Sequence, residues 1–442
     1  MTAADASSLS SPLKAEREPS YEFGRREAEV IARFPSGKRV AVVRGRERAY
    51  PGLRSVAPST LAFYQTFAAA MSGKHVLDAG SGAGLGTRLL CDRVAHVTAL
   101  DNDSRALEFG REYAPAAEFL QADLCHGSTV DRADAAVLVD VLGHLARPEA
   151  ALHGLRACLP VNSRLFVAEP KAYGSQRLLA PACRAFSLRQ LSRLLLHSGF
   201  DIENTVCTGA NFVALVARRA GEAEIEALVE GFQQARRGQF RAARDEFTRA
   251  GRSARQDVKL EALLGEAEAA FAANDGDGAA RCYFEANALD SSDGRALSGL
   301  ARVALATGEV EDALGLALDA LKREPTDVAA NASMALAAEQ LGHPEAFNAW
   351  RIAVNLAPDD LSVATGLARA SAARQNLAFA IQVFERLRGY GSALGVDFHI
   401  TLGWLLLADG RKNDAGVEAR YAAGIAPDLA AVAELATAVA AA

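Results

Sequence analysis

The chain has 442 residues, half of them apolar, and its 48 basic and 54 acidic side chains leave a net charge of −6. That length can hold two or three domains with buried cores, and with no run of about 18 apolar residues no membrane-spanning helix is expected. The charge is uneven: residues 1–220 carry a net +5 and the remainder −11, which argues against wholesale nucleic-acid binding in the second half. Six cysteines (91, 125, 158, 183, 207, 282) form no C-x-x-C pair. The expectation is reduced thiols in a cytoplasmic protein, with no metal site and no disulfide framework.

In chain order, residues 1–20 lack an apolar signal core and read as a disordered tail. Residues 21–73 read as an extension before the first core. Within it, residues 36–54 hold the densest basic stretch, Lys38, Arg39, Arg44, Arg46, Arg48 and Arg54. It is a lip for an anionic substrate, a solvated hairpin, or an intramolecular contact to the acidic repeats.

From 74 to 219, apolar strand-like runs alternate with helical patterns. "HVLDAG", "HVTALD", "AEFLQAD", "DAAVLVD", "RLFVAEP", "ENTVCT" and "NFVALVARR" read as strands. "LGTRLLCDRV", "SRALEFGREY", "PEAALHGLRACL" and "SLRQLSRLLLHSGF" read as helices. Strands apolar on both faces, interleaved with helices, predict an α/β domain with a seven-stranded, mostly parallel sheet covered on both sides.

After residue 220 the strand pattern gives way to an alanine-rich helical repeat. Ala243, Ala279, Ala313, Ala346, Ala380 and Ala415 recur every 33 to 36 residues, each shortly after a break at Gly238, Asn274, Gly308, Gly342, Gln375 or Gly410. Four residues beyond the alanine stand Phe247, Tyr283, Ala317, Trp350, Phe384 and Ala419. The spacing predicts about six helical hairpins that must stack, because one hairpin cannot bury its own apolar stripe. By length and by its alanine, aromatic and proline positions this array, residues 222–428, resembles the tetratricopeptide repeat. Residues 429–442 would then be a capping helix. By that register the concave face would present Arg295, Arg302, Arg369 and Trp404, and the resemblance implies a protein or peptide partner.

The stretch "VLDAGSGAGLG" (76–86) carries the chemistry. It follows a strand, precedes a helix, and departs from the dinucleotide fingerprint G-x-G-x-x-G because Leu85 and Thr87 stand where a glycine is required. Acidic-x-Gly-x-Gly-x-Gly here resembles motif I of the class I S-adenosylmethionine-dependent methyltransferases. The resemblance covers about residues 73–218 and implies a Rossmann-like fold with S-adenosylmethionine as cofactor. Carried onto this chain it places Asp78, Ala79, Gly80, Ser81, Gly82 and Gly84 at the amino-acid part of the cofactor. Asp101 and Asn102 fall at the ribose, Asp123 and Leu124 at the adenine, and Asp140 near the sulfonium. An acid at 78 suits a cationic amino group. His144, Glu169 and Tyr173 are candidate catalytic groups, needed only where the nucleophile carries a proton. Arg46, Tyr50, Tyr64 and Trp404 are candidate substrate contacts. Two departures stand out: Gly143-His144 where the family often has Glu-His, and "PVNSR" (160–164) where it often has a Gly-Gly turn.

The leading expectation is methyl transfer to an oxygen or nitrogen of a protein, peptide or carrier-tethered acceptor. A small metabolite or glycan acceptor, with the repeats used for dimerisation or recruitment, is the first alternative. A catalytically silent cofactor-binding scaffold is the second.

Overall fold

The computed structural model describes residues 58–441 except 127–131, 146, 172–184, 208–211, 358–359, 375 and 389–394. The proposed tail and basic lip, with Arg46, Tyr50 and Tyr173, lie outside the described residues. Two compact units divide between Val229 and Glu230. Among the described residues no helix is long and apolar enough to cross a membrane.

The first unit opens with α1 (Pro58–Ala69) and runs β1 (His75–Ala79), α2 (Leu85–Cys91), β2 (His96–Asp101), α3 (Ser104–Tyr113), β3 (Glu118–Gln121), β4 (Ala135–Val139), α4 (Pro148–Cys158), β5 (Arg164–Pro170), α5 (Leu188–His197), β6 (Phe200–Cys207) and β7 (Phe212–Arg219). The strands form one sheet in the order β3-β2-β1-β4-β5-β7-β6. All pairings are parallel except those of β7, which runs antiparallel to both β5 and β6.

Period-two alternation sends successive residues to opposite faces, and here both faces are covered. Leu77, Leu138, Leu165, Val167 and Leu215 pack with Leu152 and Leu155 of α4 and Leu191 and Leu195 of α5. Their neighbours Val76, Val137, Phe166 and Val216 pack with Phe63 and Phe67 of α1 and Leu90 of α2. Phe67 and Phe166 meet with ring centroids 5.2 Å apart. Burying each such aromatic contributes about 1.5–3 kcal/mol. This is why the strands read as continuous apolar runs.

Local signals set the boundaries. Ser187 and Gln190 form a reciprocal capping box that starts α5. Gly199, left-handed at φ 84°, stops that helix before Phe200, so Phe200 opens β6 three residues ahead of the predicted strand. In "PVNSR" the left-handed position of the turn is taken by Asn162 at φ 68°, a residue type that tolerates it; its side chain accepts a hydrogen bond from Arg218.

The second unit is an all-α solenoid whose first helix begins before the division at Val229. Its helices are α6 (Ala223–Arg236), α7 (Phe240–Ala250), α8 (Gln256–Ala272), α9 (Gly276–Leu289), α10 (Arg295–Thr307), α11 (Val310–Arg323), α12 (Val328–Gln340), α13 (Ala346–Leu356), α14 (Leu361–Ala373), α15 (Leu377–Arg388), α16 (Val396–Ala408), α17 (Lys412–Ile425) and α18 (Ala430–Ala441). From α7 onward successive helices pack against one another, and α8, α10, α12 and α14 also touch in sequence as the first helices of neighbouring hairpins.

The lock between hairpins is an aromatic ring seated on a glycine. Phe247 of α7 lies against Gly265 of α8, Tyr283 of α9 against Gly299 of α10, and Trp350 of α13 against Gly366 of α14. A Cβ at any of these glycines would collide with the ring. Where the second helix carries Ala317 in place of an aromatic, the residue in register on the next hairpin is Ser333, so the pair changes size on both sides together.

This contrast is measurable in urea. Gly299→Ala should destabilise the array by about 1–3 kcal/mol through overpacking against Tyr283, despite the better helix propensity of alanine. Gly315→Ala, mid-helix in α11 with open space around it, should stabilise by about 0.5–1 kcal/mol. Equal effects at the two positions would contradict the ring-on-glycine lock.

Candidate functional site

The strand order reverses between β1 and β4, and in open parallel sheets the crevice beyond the carboxyl ends at such a point receives ligands. The loops that follow β1, β2, β3 and β4 converge there.

Three glycines of the first loop are left-handed: Gly80 at φ 79°, Gly82 at 53° and Gly84 at 80°. Their surroundings differ. A Cβ on Gly80 would lie 2.6 Å from Val141 of the loop after β4, and one on Gly84 would meet Phe119 and Gly110. Gly82 faces open space. Two of the glycines therefore let protein approach protein, and of the three only Gly82 has open space where a side chain would stand. The loop is moored to β2 by Gly80 and Ser81 N–H donating to Leu100 O at 2.8 and 2.9 Å. Gly82 N–H donates to Asp101 Oδ2 at 2.8 Å, while Asp101 Oδ1 accepts from Asp103 N–H at 2.9 Å. Beside Gly82, the Ser81 hydroxyl is buried with no partner among the described residues.

Asp78 is fully buried. Its two oxygens accept from Tyr64 Oη at 2.8 Å and Thr87 Oγ1 at 2.6 Å. The expectation that its charge meets a cationic amino group gives way to a role beneath the loop, joining α1, β1 and α2. Tyr64, expected at the substrate, is itself buried; its ring fills the space that a side chain at Gly86 would need. Thr87 is the partner that sequence reasoning missed. Its only signal was a hydroxyl in the first turn of the helix, nine residues past the acid.

After β3, Asp123 Oδ1 accepts from Cys125 N–H and Oδ2 pairs with His126 Nδ1 at 2.7 Å. The backbone N–H of Cys125 and then His126 hold its carboxyl below the usual range. Asp123 and His126 are exposed and Leu124 is buried below them, with Asn102 exposed on the neighbouring loop.

After β4, Asp140 is left-handed at φ 59°, and its Oδ1 lies 3.5 Å from His144 Nε2. Both side chains are about half exposed. Glu169, a candidate catalytic group by sequence, is fully buried. Its carboxylate accepts three successive backbone N–H groups, from Val141 at 3.0 Å, Leu142 at 2.8 Å and Gly143 at 3.2 Å. A group so enclosed cannot reach a substrate, so direct catalysis by Glu169 is set aside.

The second unit holds a groove of about 790 Å³ on its first helices, floored by Leu305, Val328, Ala332 and Leu336 and flanked by Arg302 and Arg369. Arg302 pairs with Glu268 at 2.7 Å and stacks over Phe271. Arg369 pairs with Glu339 at 2.6 Å, and Glu339 also accepts from the Trp350 indole. Arg295 is held by Glu261 and Asp293. The three arginines expected on the concave face are thus each paired with carboxylates of this unit. Trp404 is exposed on α16, outside the lining of this groove.

Residues 76–161 match the methyltransferase domain family. The chain is 29% identical over 180 residues to a probable S-adenosylmethionine-dependent methyltransferase of Mycolicibacterium smegmatis, spanning 38% of this chain and 68% of that one. Among solved structures, it is similar to a putative methyltransferase from Bacillus halodurans, with TM-score 0.32 and 15% identity over 37% of this chain and all of that one. It is also similar to the APC/C hetero-tetramer Cut9–Hcn1, with TM-score 0.43 and 15% identity over 49% of this chain and 42% of that one. The chain carries an S-adenosylmethionine-dependent methyltransferase domain, and S-adenosylmethionine is its cofactor.

The buried Asp78 has a titration signature. Burial pushes its carboxyl up to about 6; the hydrogen bonds from Thr87 and Tyr64 oppose this and the nearby Asp101 adds to it. Between about pH 4 and 6 the folded chain keeps a proton that the unfolded chain has released. Stability from this group is therefore full below about pH 4 and is lost as pH rises through 6, by about 2–3 kcal/mol. Asp78→Asn, which keeps the shape and cannot titrate, should flatten that part of a melting-temperature series from pH 4 to 7. An unchanged slope would show that Asp78 is not the titrating group.

Proposed function

We propose that the enzyme transfers a methyl group to an oxygen or nitrogen of a protein, peptide or carrier-tethered acceptor that the helical array holds. The observation that carries this reading is the solenoid groove: a long apolar floor whose flanking arginines are already neutralised suits a polypeptide segment better than a small anion. Tethering on one chain raises the acceptor's effective concentration to about millimolar without new contacts at the reacting atoms.

Three features of the first unit support a fit to the cofactor. Gly82 offers bare backbone, Ser81 an unpartnered buried hydroxyl, and Asp101 a carboxylate with lone pairs left after its two backbone bonds. In this reading Ala79 to Gly84 hold the amino-acid chain and Asp101 with Asn102 the ribose. Asp123 and Leu124 border the adenine, and Asp140 closes the sulfonium side. Asp78 acts from beneath. When bound, the cofactor supplies an electrophilic methyl on a sulfonium. The protein's task is chiefly alignment of the acceptor, since a neutral leaving group needs little other assistance. Where the acceptor atom carries a proton, His144 takes it at Nε2, and Asp140 beside it favours the imidazolium that results.

Three measurements test this. Incubation with methyl-labelled cofactor and host lysate should place label in macromolecules; label in small molecules alone would favour a metabolite acceptor. Ala332→Trp, which fills the groove floor in the intact chain, should then raise the KM for the labelled acceptor at least about tenfold. Asp101→Ala should weaken S-adenosylhomocysteine binding about 10–100-fold by calorimetry, from the loss of one or two charge-assisted hydrogen bonds. Unaltered affinity would refute the ribose assignment.

A further inference from the structure

We propose that Glu169 is a positioning residue of the methyl-transfer site: its buried carboxylate is the template on which the loop after β4 folds, and through that loop it places Asp140 and His144. The inference rests on the site reading above for the roles of those two side chains, and on geometry for the rest.

Three consecutive N–H groups, of Val141, Leu142 and Gly143, aim at one carboxylate. Among the described residues no backbone carbonyl takes their place. N–H groups buried without an acceptor are expensive, so the turn Leu142–His144 forms because Glu169 supplies one. Upstream, Asp140 is fixed in the left-handed region by its own N–H bond to Ala168 O, the neighbour of Glu169 on β5, at 2.8 Å. Downstream, the turn closes with His144 N–H on Val141 O at 3.0 Å. That brings the imidazole back over Asp140 at 3.5 Å. Val141 also lies against Gly80.

The same carboxylate is poised to titrate. Burial pushes it up to about 7, with the N–H groups of Leu142, Val141 and Gly143 opposing and the charge of Asp140 adding. The charged neighbour that acts on it is Asp140; from β7 it is flanked by Val213, its partner across the ladder. Once protonated, Glu169 has a hydroxyl where one acceptor stood, and the third N–H loses its partner.

Amide NMR of the full chain provides the test, with valine, leucine and glycine labelled in turn. The amides of Val141, Leu142 and Gly143 should move together in one step with a midpoint near pH 7, and the step should vanish in Glu169→Gln. That variant should bind S-adenosylhomocysteine within about twofold of wild type while transferring label from methyl-labelled cofactor at least about tenfold more slowly. In a His144→Ala background the same substitution should add little, because both act through one group. Three amides that titrate independently or not at all overturn the proposal, and wild type alone gives that answer should Glu169→Gln not fold. Cofactor affinity falling in step with transfer also overturns it, since Glu169 would then support the cofactor pocket as a whole. If neither wild type nor variant labels any acceptor, the acceptor reading has failed while the amide titration still decides this one.

Discussion

Everything at the site depends on how closely two loops approach where the sheet reverses its strand order. The missing side chain at Gly80 lets Val141 come within contact. Carboxylates that end their strands then hold each loop. Asp78 near the end of β1 takes two hydroxyls from below; Asp101 ends β2 and takes two N–H groups; Glu169 near the end of β5 takes three. Parallel strands leave their C-terminal loops without ladder partners, and buried backbone N–H groups require acceptors. Acids at strand ends supply them. The cost is the burial of charge, which shows as carboxyls pushed up to about 6 and 7.

The solenoid rests on a different constraint, the fit of ring to glycine between hairpins. Ala243, Ala279, Ala313, Ala380 and Ala415 are fully buried, so each second helix can lie close to its partner. Phe247, Tyr283 and Trp350 reach the next hairpin and need a glycine there. On the inner face the arginines lie close to carboxylates on neighbouring first helices. Arg295 pairs with Glu261 and Arg302 with Glu268, each 34 residues away, and Arg369 pairs with Glu339 at 30. A repeat that places a cation in one hairpin and an anion in the one before it neutralises its own groove. The apolar floor between these pairs then remains as the open part of the groove.

Much of this was legible in the residues. Two-sided apolar strands such as "AAVLV" require helices on both faces, and the alternation of Val76 with Leu77, or Phe166 with Val167, assigns each face its own core. The alanine period marked the hairpins, and Gly238, Gly308, Gly342 and Gly410, all left-handed, mark their turns. The glycine loop was legible as a strand-to-helix bend with bare backbone. Partner choice was not legible. Asp78 and Glu169 are one-letter acids with no sign that hydroxyls and backbone, and not a ligand, would face them. Arg295, Arg302 and Arg369 gave no sign of the carboxylates that hold them.

The sequence by itself determined the two architectures, because hydrophobic period, turn glycines and repeat length are local patterns that any compact chain must obey. The tertiary structure alone decided what each polar side chain faces. Tyr64 came to lie under the loop, Glu169 behind the His144 turn, and Gly82 alone toward open space. Hydrogen bonds between residues far apart in the chain depend on how elements pack, and periodicity carries no record of which acid meets which donor.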